Sequence, residues 1–212
     1  MFPEFDRGLG MTKKKAIGGH QSSCMLSDTW LTPPWILDAL GDFDLDPCAA
    51  PLPRLRPTAA RHITRPDNGL SATWHGRIWL NPPYSREAVR WITKLADHGE
   101  GTALVFARTE TSWFVNQVWQ RASSLLFLHG RVRFLTADGT PYHDNAGAPS
   151  VLAAYGQRDA DILARCGLAG TYVPAWSNGS KRLIPVPRSQ FAQANLPGLT
   201  SEPVRDTRSD RH

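Results

Sequence analysis

The run Gly76-Arg77-Ile78-Trp79-Leu80 passes directly into Asn81-Pro82-Pro83-Tyr84, and Ser85 then opens a stretch with Ala88, Ile92, Leu95 and Ala96 on one helical face. The apolar run reads as a strand, and the spacing after it reads as a helix that stops near Gly99. Two adjacent prolines can donate nothing to a β-ladder, so the strand ends at Asn81. Ser85 is a suitable helix N-cap. The tetrapeptide is thereby placed at a strand-to-helix junction, at the carboxyl end of a strand. Open α/β sheets bind their ligands there.

The rest of the chain alternates in the same way. Thr32-Pro33-Pro34 opens a helix over 35–40, with proline in the first turn and Gly41 just past the end. Phe43-Asp44-Leu45 reads as a short strand ending at Asp46, and 62–64 as another. Residues 103–107 have the length of a buried strand, and Ser112 can cap a helix through Trp113, Val118 and Ala122. The segments 125–128, 132–135 and 151–155 read as the last strands, with a turn-rich connection over 138–149. Strands alternating with helices predict an α/β sheet, mostly parallel, of about seven strands with an antiparallel C-terminal strand. Two adjacent strands without a helix between them, at the end, suggest an antiparallel hairpin closing the sheet.

Length and charge set the frame. The 212 residues, 41% of them hydrophobic, suffice for one core, with a domain expected over 28–176. Residues 1–27 read as a flexible arm and 177–212 as a mostly disordered basic tail, with six Lys/Arg against three acids. The net charge of +5 permits nucleic-acid binding without demanding it. No run approaches the roughly 18 apolar residues of a membrane span, and no secretory signal is apparent, so no membrane partner is expected. Three cysteines without CxxC spacing indicate neither a disulfide framework nor a zinc site, and a reducing cytoplasmic setting is the expectation.

Asn-Pro-Pro-Tyr arises by chance in a chain this long with odds on the order of one in a thousand. Its residue types suit transfer of a methyl group to a planar, conjugated NH2, whose lone pair is delocalised and poorly nucleophilic. The Asn81 side-chain carbonyl and the Pro82 backbone carbonyl can both accept hydrogen bonds from such an amine, favouring a pyramidal nitrogen with its lone pair exposed. Pro82 and Pro83 hold the backbone so that the carbonyl is presented. Tyr84 offers a stacking face for an extruded base. On the motif alone the acceptor is open: adenine N6, cytosine N4 and protein glutamine amides all qualify, as does a catalytically silent DNA-binding protein that kept the fold.

An ordered set of segments narrows this. Trp30-Leu31-Thr32-Pro33-Pro34, Asp44-Leu45-Asp46-Pro47-Cys48-Ala49, Asp67-Asn68-Gly69-Leu70 with Trp74, the NPPY motif, and Phe127 through Gly130-Arg131 to Phe134 stand in this order over about residues 28–156. Together they resemble the phage-type, Dam-like DNA N6-adenine methyltransferases. The resemblance implies a Rossmann-like methyltransferase fold, S-adenosylmethionine as methyl donor, and DNA as substrate. It also implies that Thr32, with Pro33, binds the methionine carboxylate of the donor. Asp46, Pro47 and Cys48 would line the methionine and ribose region, and Asp67 would bind the ribose or adenine part. One departure stands out. The Asp-Pro-Phe-x-Gly-x-Gly loop of many amino-methyltransferases is here Asp46-Pro47-Cys48-Ala49-Ala50-Pro51, without the glycines that allow close backbone approach.

Arg131 and Arg133 alternate with Val132 and Phe134, so the two arginines share one face. That face is either simply solvated or a contact to DNA phosphate or a base edge. The 138–149 connection, with Tyr142, His143, Asp144 and Asn145, is the candidate recognition loop. Its His and Asn are too few for a metal site, and no metal is expected. Asp46 precedes Asn81 by only 35 residues, so a trimmed strand or a loop is expected between them.

Overall fold

The computed structural model describes residues 31–51, 56–83, 87–136, 138–142 and 146–174. The N-terminal arm, the basic tail, Ser85 as a cap, and Tyr84, His143, Asp144 and Asn145 lie outside the described residues. In chain order the elements are α1 (Pro34–Leu40), β1 (Leu45–Asp46), β2 (Arg61–His62), a 3-10 turn (Arg65–Asp67), β3 (Ile78–Leu80), α2 (Ala88–His98) and β4 (Gly101–Phe106). There follow a π-helical segment (Phe114–Trp119), β5 (Ser124–Leu128), β6 (Ser150–Tyr155), α3 (Gln157–Arg165) and β7 (Gly170–Val173). No helix among the described residues is long and apolar enough to cross a membrane.

The strands form one seven-stranded sheet in the order β2-β1-β3-β4-β6-β5-β7. The pairs β1–β2, β1–β3 and β3–β4 are parallel, whereas β6 lies antiparallel between β4 and β5, and β7 lies antiparallel on the far side of β5. Thus β1 to β5 run one way and β6 and β7 run against them. The short stretch expected between Asp46 and Asn81 holds the two-residue β2 and the 3-10 turn.

Period-two burial divides the sheet between two cores. Ile78 and Leu80 face one side, where they pack with Trp91, Ile92 and Leu95 of α2 and with Phe114 and Val118 of the π-helical segment. Trp79 faces the other side, with Ile36, Leu37 and Leu40 of α1 and Ala160 and Leu163 of α3. Covered on both faces, β6 is buried along its whole length, as its near-continuous apolar sequence requires. Helix α1 has Pro34 at its first positions, and α2 ends at Gly99, whose left-handed backbone (φ 83°) returns its N–H to the Leu95 carbonyl.

The amino-terminal end of the sheet is closed by a buried ion pair. Arg77 Nε and Nη2 face Asp159 Oδ1 at 3.0 and 2.9 Å, and Arg77 Nη1 donates to the Leu40 and Asp42 carbonyls. The Thr102 hydroxyl donates to the same carboxylate oxygen, and the guanidinium lies 3.9 Å over the Phe43 ring. This knot ties α1, β3, β4 and α3 together at the end opposite Asn81.

Four expectations are corrected. Residues 132–135 do not form a strand of the sheet; the antiparallel pair with no named helix between its strands is β5 with β6. Both edges of β5 are already occupied, by β6 and β7, so no ladder position is left. Gly130 (φ 74°) instead turns the chain away after β5. Segment 151–155 is not the last strand, because α3 and β7 follow. Two strands, not one, oppose the parallel set. Ser112 makes no side-chain cap; the segment after it is π-helical rather than a regular α-helix.

Candidate active site

The strand ends gather a cleft. It is lined by Leu31, Thr32, Pro34 and Leu37 before and within α1, by Asp46, Cys48, Ala50, Arg56 and Thr58 after β1, and by Trp79, Asn81 and Leu135. It encloses about 540 Å³ of space between atoms, part of it open solvent. Three segments that the sequence singled out separately therefore meet in one place.

Asn81 sits one residue past β3 and is half-buried. Its Nδ2 donates to the Thr32 hydroxyl oxygen at 3.2 Å. That contact orients the amide, so Oδ1 points away from Thr32. Thr32 is itself buried, and its hydroxyl, accepting from Asn81, keeps its own proton for another partner. Pro82 is buried and Pro83 half-buried. Pro33 is buried and leads directly into the first turn of α1.

Asp46 ends β1 and is 5% exposed. Its Oδ1 accepts the Cys48 N–H at 3.1 Å and its Oδ2 accepts the Thr58 hydroxyl at 2.5 Å. Both carboxylate oxygens are thereby held in place at the end of β1. Thr58 is in turn held by His62, whose Nε2 accepts the Thr58 N–H at 3.1 Å. The Cys48 thiol donates to the Asn81 backbone carbonyl at 3.3 Å. Burial, then the neighbouring Asp46 charge, push this thiol well above its ordinary pKa. It is thus a packed thiol rather than a nucleophile. Arg56 reaches the cleft from the β1–β2 connection and pairs with Asp38 of α1 at 2.6 Å.

The missing glycines of the Asp46 loop have a counterpart elsewhere. A Cβ on Gly69 would stand 1.9 Å from the Pro47 carbonyl oxygen and 3.1 Å from the Trp91 ring. The close approach is therefore made from outside, by Gly69 against the buried Pro47. The Gly69 carbonyl accepts from Trp74 Nε1 at 2.8 Å, and Lys94 of α2 donates to the carbonyls of Gly69, Leu70 and Ala72. Burial lowers the Lys94 pKa, while its ammonium lies 4.8 Å over the Trp74 ring. Asp67 stands two residues ahead of Gly69 on an exposed turn, bonded to the Thr64 hydroxyl at 3.3 Å. It does not line the cleft.

The far wall is a hairpin-like excursion. Leu31 and Leu135 exchange both backbone hydrogen bonds, at 3.0 and 2.9 Å. Tyr142 N–H then bonds the Phe134 carbonyl, and Ala146 N–H the Val132 carbonyl, each at 2.9 Å. At the tip the Thr136 hydroxyl, then the Thr140 N–H and hydroxyl, hold the Asp138 carboxyl below its ordinary pKa. Val132 and Phe134 are buried, and Arg131 and Arg133 are exposed. The alternation read from sequence is real, although its partner is not β5. Arg131 Nη1 donates to the Ala146 carbonyl at 3.2 Å.

Thr58, Arg56 and Lys94 were not singled out by sequence reasoning. The first two lie in a crossover without periodicity, and Lys94 reads as an ordinary polar position on an amphipathic helix. Gly69 was marked in the sequence only by its place in the Asp67-Asn68-Gly69-Leu70 segment.

Comparison with curated proteins and with solved structures finds no match. A family model described as DNA N-6-adenine-methyltransferase (Dam) matches residues 21–163, from before Thr32 into α3. The match spans every segment of the cleft and about two thirds of the sequence; β7 lies beyond it. With its NPP junction, buried Asp46 and Thr32–Asn81 contact inside that span, the chain belongs to the DNA N-6-adenine-methyltransferase (Dam) family.

Proposed function

We infer that the chain, as a member of that family, is a DNA N6-adenine methyltransferase. We propose that its methyl donor is S-adenosylmethionine, held in the cleft between α1 and the ends of β1 and β3, and that the adenine is extruded from DNA to reach Asn81. The single observation that carries this is the Asn81–Thr32 hydrogen bond, which joins the acceptor motif to the donor motif. We further propose that the fold is Rossmann-like, on the strength of a parallel β2-β1-β3-β4 half with the cleft at its carboxyl ends.

The residues present suit that donor, which supplies a methyl group on a sulfonium. The Thr32 hydroxyl can donate its remaining proton to the methionine carboxylate. Asp46, buried and anchored by Cys48 and Thr58, brings a carboxylate to the cleft that suits the donor's ammonium or a ribose hydroxyl. Pro47 and Cys48 form the floor next to it, and Pro33 fixes Thr32 at the start of α1. Asp67, on the turn whose Gly69 packs on Pro47, stands beside this loop for the ribose or adenine part.

The acceptor amine lies inside the duplex until the base is flipped. Flipping costs a few kcal/mol, offset in part by stacking on Tyr84, worth about 1–3 kcal/mol. Asn81 Oδ1 and the Pro82 carbonyl then accept from the N6 amine, and Pro83 stiffens the turn that presents them. The lone pair would then be free to take the methyl group that the bound donor would supply, the donor leaving as its thioether. The product amine is cationic and releases its proton to water, so no strong base is needed beside Asn81. Arg131 and Arg133, exposed past the end of β5, contact the DNA.

The test is a labelled-methyl assay offering DNA, RNA and protein, run on wild type and Asn81→Ala. Wild type labels adenine in DNA. The variant loses about 10²-fold or more in rate, the cost of one preorganised hydrogen-bonding group, with donor affinity by calorimetry largely intact. Loss of donor affinity in step with activity would make Asn81 a structural residue.

A further inference from the structure

Arg108 belongs to no motif, yet it stands at the ligand end of the sheet. β3 and β4 are parallel, with Leu80 paired to Ala103, and β4 continues to Phe106 beyond the point where β3 yields to Asn81. Arg108 follows at that same end, beside the segment that carries the acceptor site.

Its backbone is held on several sides. Ala107 N–H bonds the Pro149 carbonyl and Arg108 N–H the Phe106 carbonyl, both at 2.8 Å. The Arg108 carbonyl accepts from the Thr111 N–H and hydroxyl, and Trp119 Nε1 secures the Thr109 carbonyl at 3.2 Å. The side chain, in contrast, is exposed and makes no hydrogen bond or ion pair among the described residues. Glu110 shares the turn but forms no bridge to it. A long, costly-to-order cation on a pinned backbone is arranged for a partner outside the chain.

The other arginines sharpen the contrast. Arg90 pairs with Glu87, Arg121 with Asp97, Arg158 with Glu100 and Arg165 with Asp161. Arg158 and Arg121 lie toward the opposite end of the sheet or on its flank. At the carboxyl end, Arg108, Arg131 and Arg133 have no carboxylate partner among the described residues. Arg61, on the edge strand β2, also has no carboxylate partner among the described residues. Three arginines without a carboxylate partner thus stand past the ends of β4 and β5.

We infer that Arg108 is a DNA-phosphate contact beside the extruded adenine, forming one basic rim with Arg131 and Arg133. The inference rests on the reading of DNA as the bound substrate. A guanidinium there neutralises a phosphate next to the flipped nucleotide, where the distorted backbone needs an anchor.

The test measures binding of an adenine-containing duplex over a range of salt for the full chain, with Arg108→Gln, Arg108→Lys and Arg158→Gln. Each phosphate contact contributes a slope of about −0.9 in log K against log salt. Arg108→Gln should reduce the slope's magnitude by about 0.9 and raise the KM for DNA, leaving donor affinity unchanged. Arg108→Lys should restore the slope, and Arg158→Gln should retain it. An unchanged slope in Arg108→Gln, or an equal loss in Arg158→Gln, overturns the inference while DNA methylation by wild type stands. If wild type methylates no DNA, the substrate reading fails and this inference falls with it.

Discussion

The Cys48 thiol hydrogen-bonds the backbone carbonyl of Asn81 at 3.3 Å, bridging the end of β1 to the end of β3. The same Cys48 offers its N–H to Asp46. One residue therefore spaces the buried carboxylate from the acceptor motif, and neither strand end can shift without the other.

From this follows a chemical expectation. Burial first, and the adjacent Asp46 charge second, keep the thiol protonated well above its usual range, and the thiolate is the species that alkylates. At pH 8, iodoacetamide should label Cys48 much more slowly than a free thiol, as read by peptide mass spectrometry. Cys48→Ala should raise the donor KM several-fold, and Cys48→Ser should recover most of it. Rapid labelling of Cys48 at pH 8 contradicts the placement.

Gly69→Ala tests the support beneath Pro47. The added Cβ would stand 1.9 Å from a backbone oxygen, which cannot swing aside as a side chain would. Overpacking of this kind costs about 1–3 kcal/mol, and the loop that moves is the one carrying Asp46 and Cys48. Melting temperature should fall and the donor dissociation constant should rise together. A variant with wild-type donor affinity would show that the 67–70 turn is independent of the cleft.

Tyr155 sets an alkaline limit. Its ring is buried, its hydroxyl donates to the Gln117 carbonyl at 2.9 Å, and burial raises its pKa far above the ordinary value near 10. A raised folded-state pKa gives stability that is complete below the unfolded value and lost as pH climbs above it, because only the unfolded chain ionises there. Denaturant unfolding should show stability declining above about pH 10. Tyr155→Phe should cost about 1 kcal/mol at neutral pH, for the lost hydrogen bond, and should flatten that decline. An equally steep decline in the variant would place the alkaline sensitivity elsewhere.

The catalytic junction was legible because its chemistry is local: two prolines stop β3, and an amphipathic repeat ending in Gly99 announces α2. Thr32, Asp46, Cys48 and Asn81 were each marked by a motif, and the fold brings them to one cleft. Family membership adds what the NPPY chemistry alone left open, the choice of adenine N6 over glutamine or cytosine N4. Other features depend on partners that sequence does not state. Alternation over 131–134 recorded which side chains are buried, but not that Leu31 rather than β5 supplies the hydrogen bonds. Helix α3 escaped notice because its buried face includes Asp159, a charge that belongs inside only when Arg77 is there to meet it. β7 is a four-residue edge strand of mixed character, the weakest kind of signal.

The reciprocal bonds between Leu31 and Leu135 close about a hundred residues of chain into a loop, a pairing whose entropic cost is met only after the intervening sheet exists. The cleft is consequently among the last parts of the molecule to assemble and among the first to open. Fluctuations that part these two segments leave the buried strands intact. Global unfolding and loss of the binding site are then separate events, and amide exchange at Leu31 and Leu135, faster than in the buried strands, reports the second.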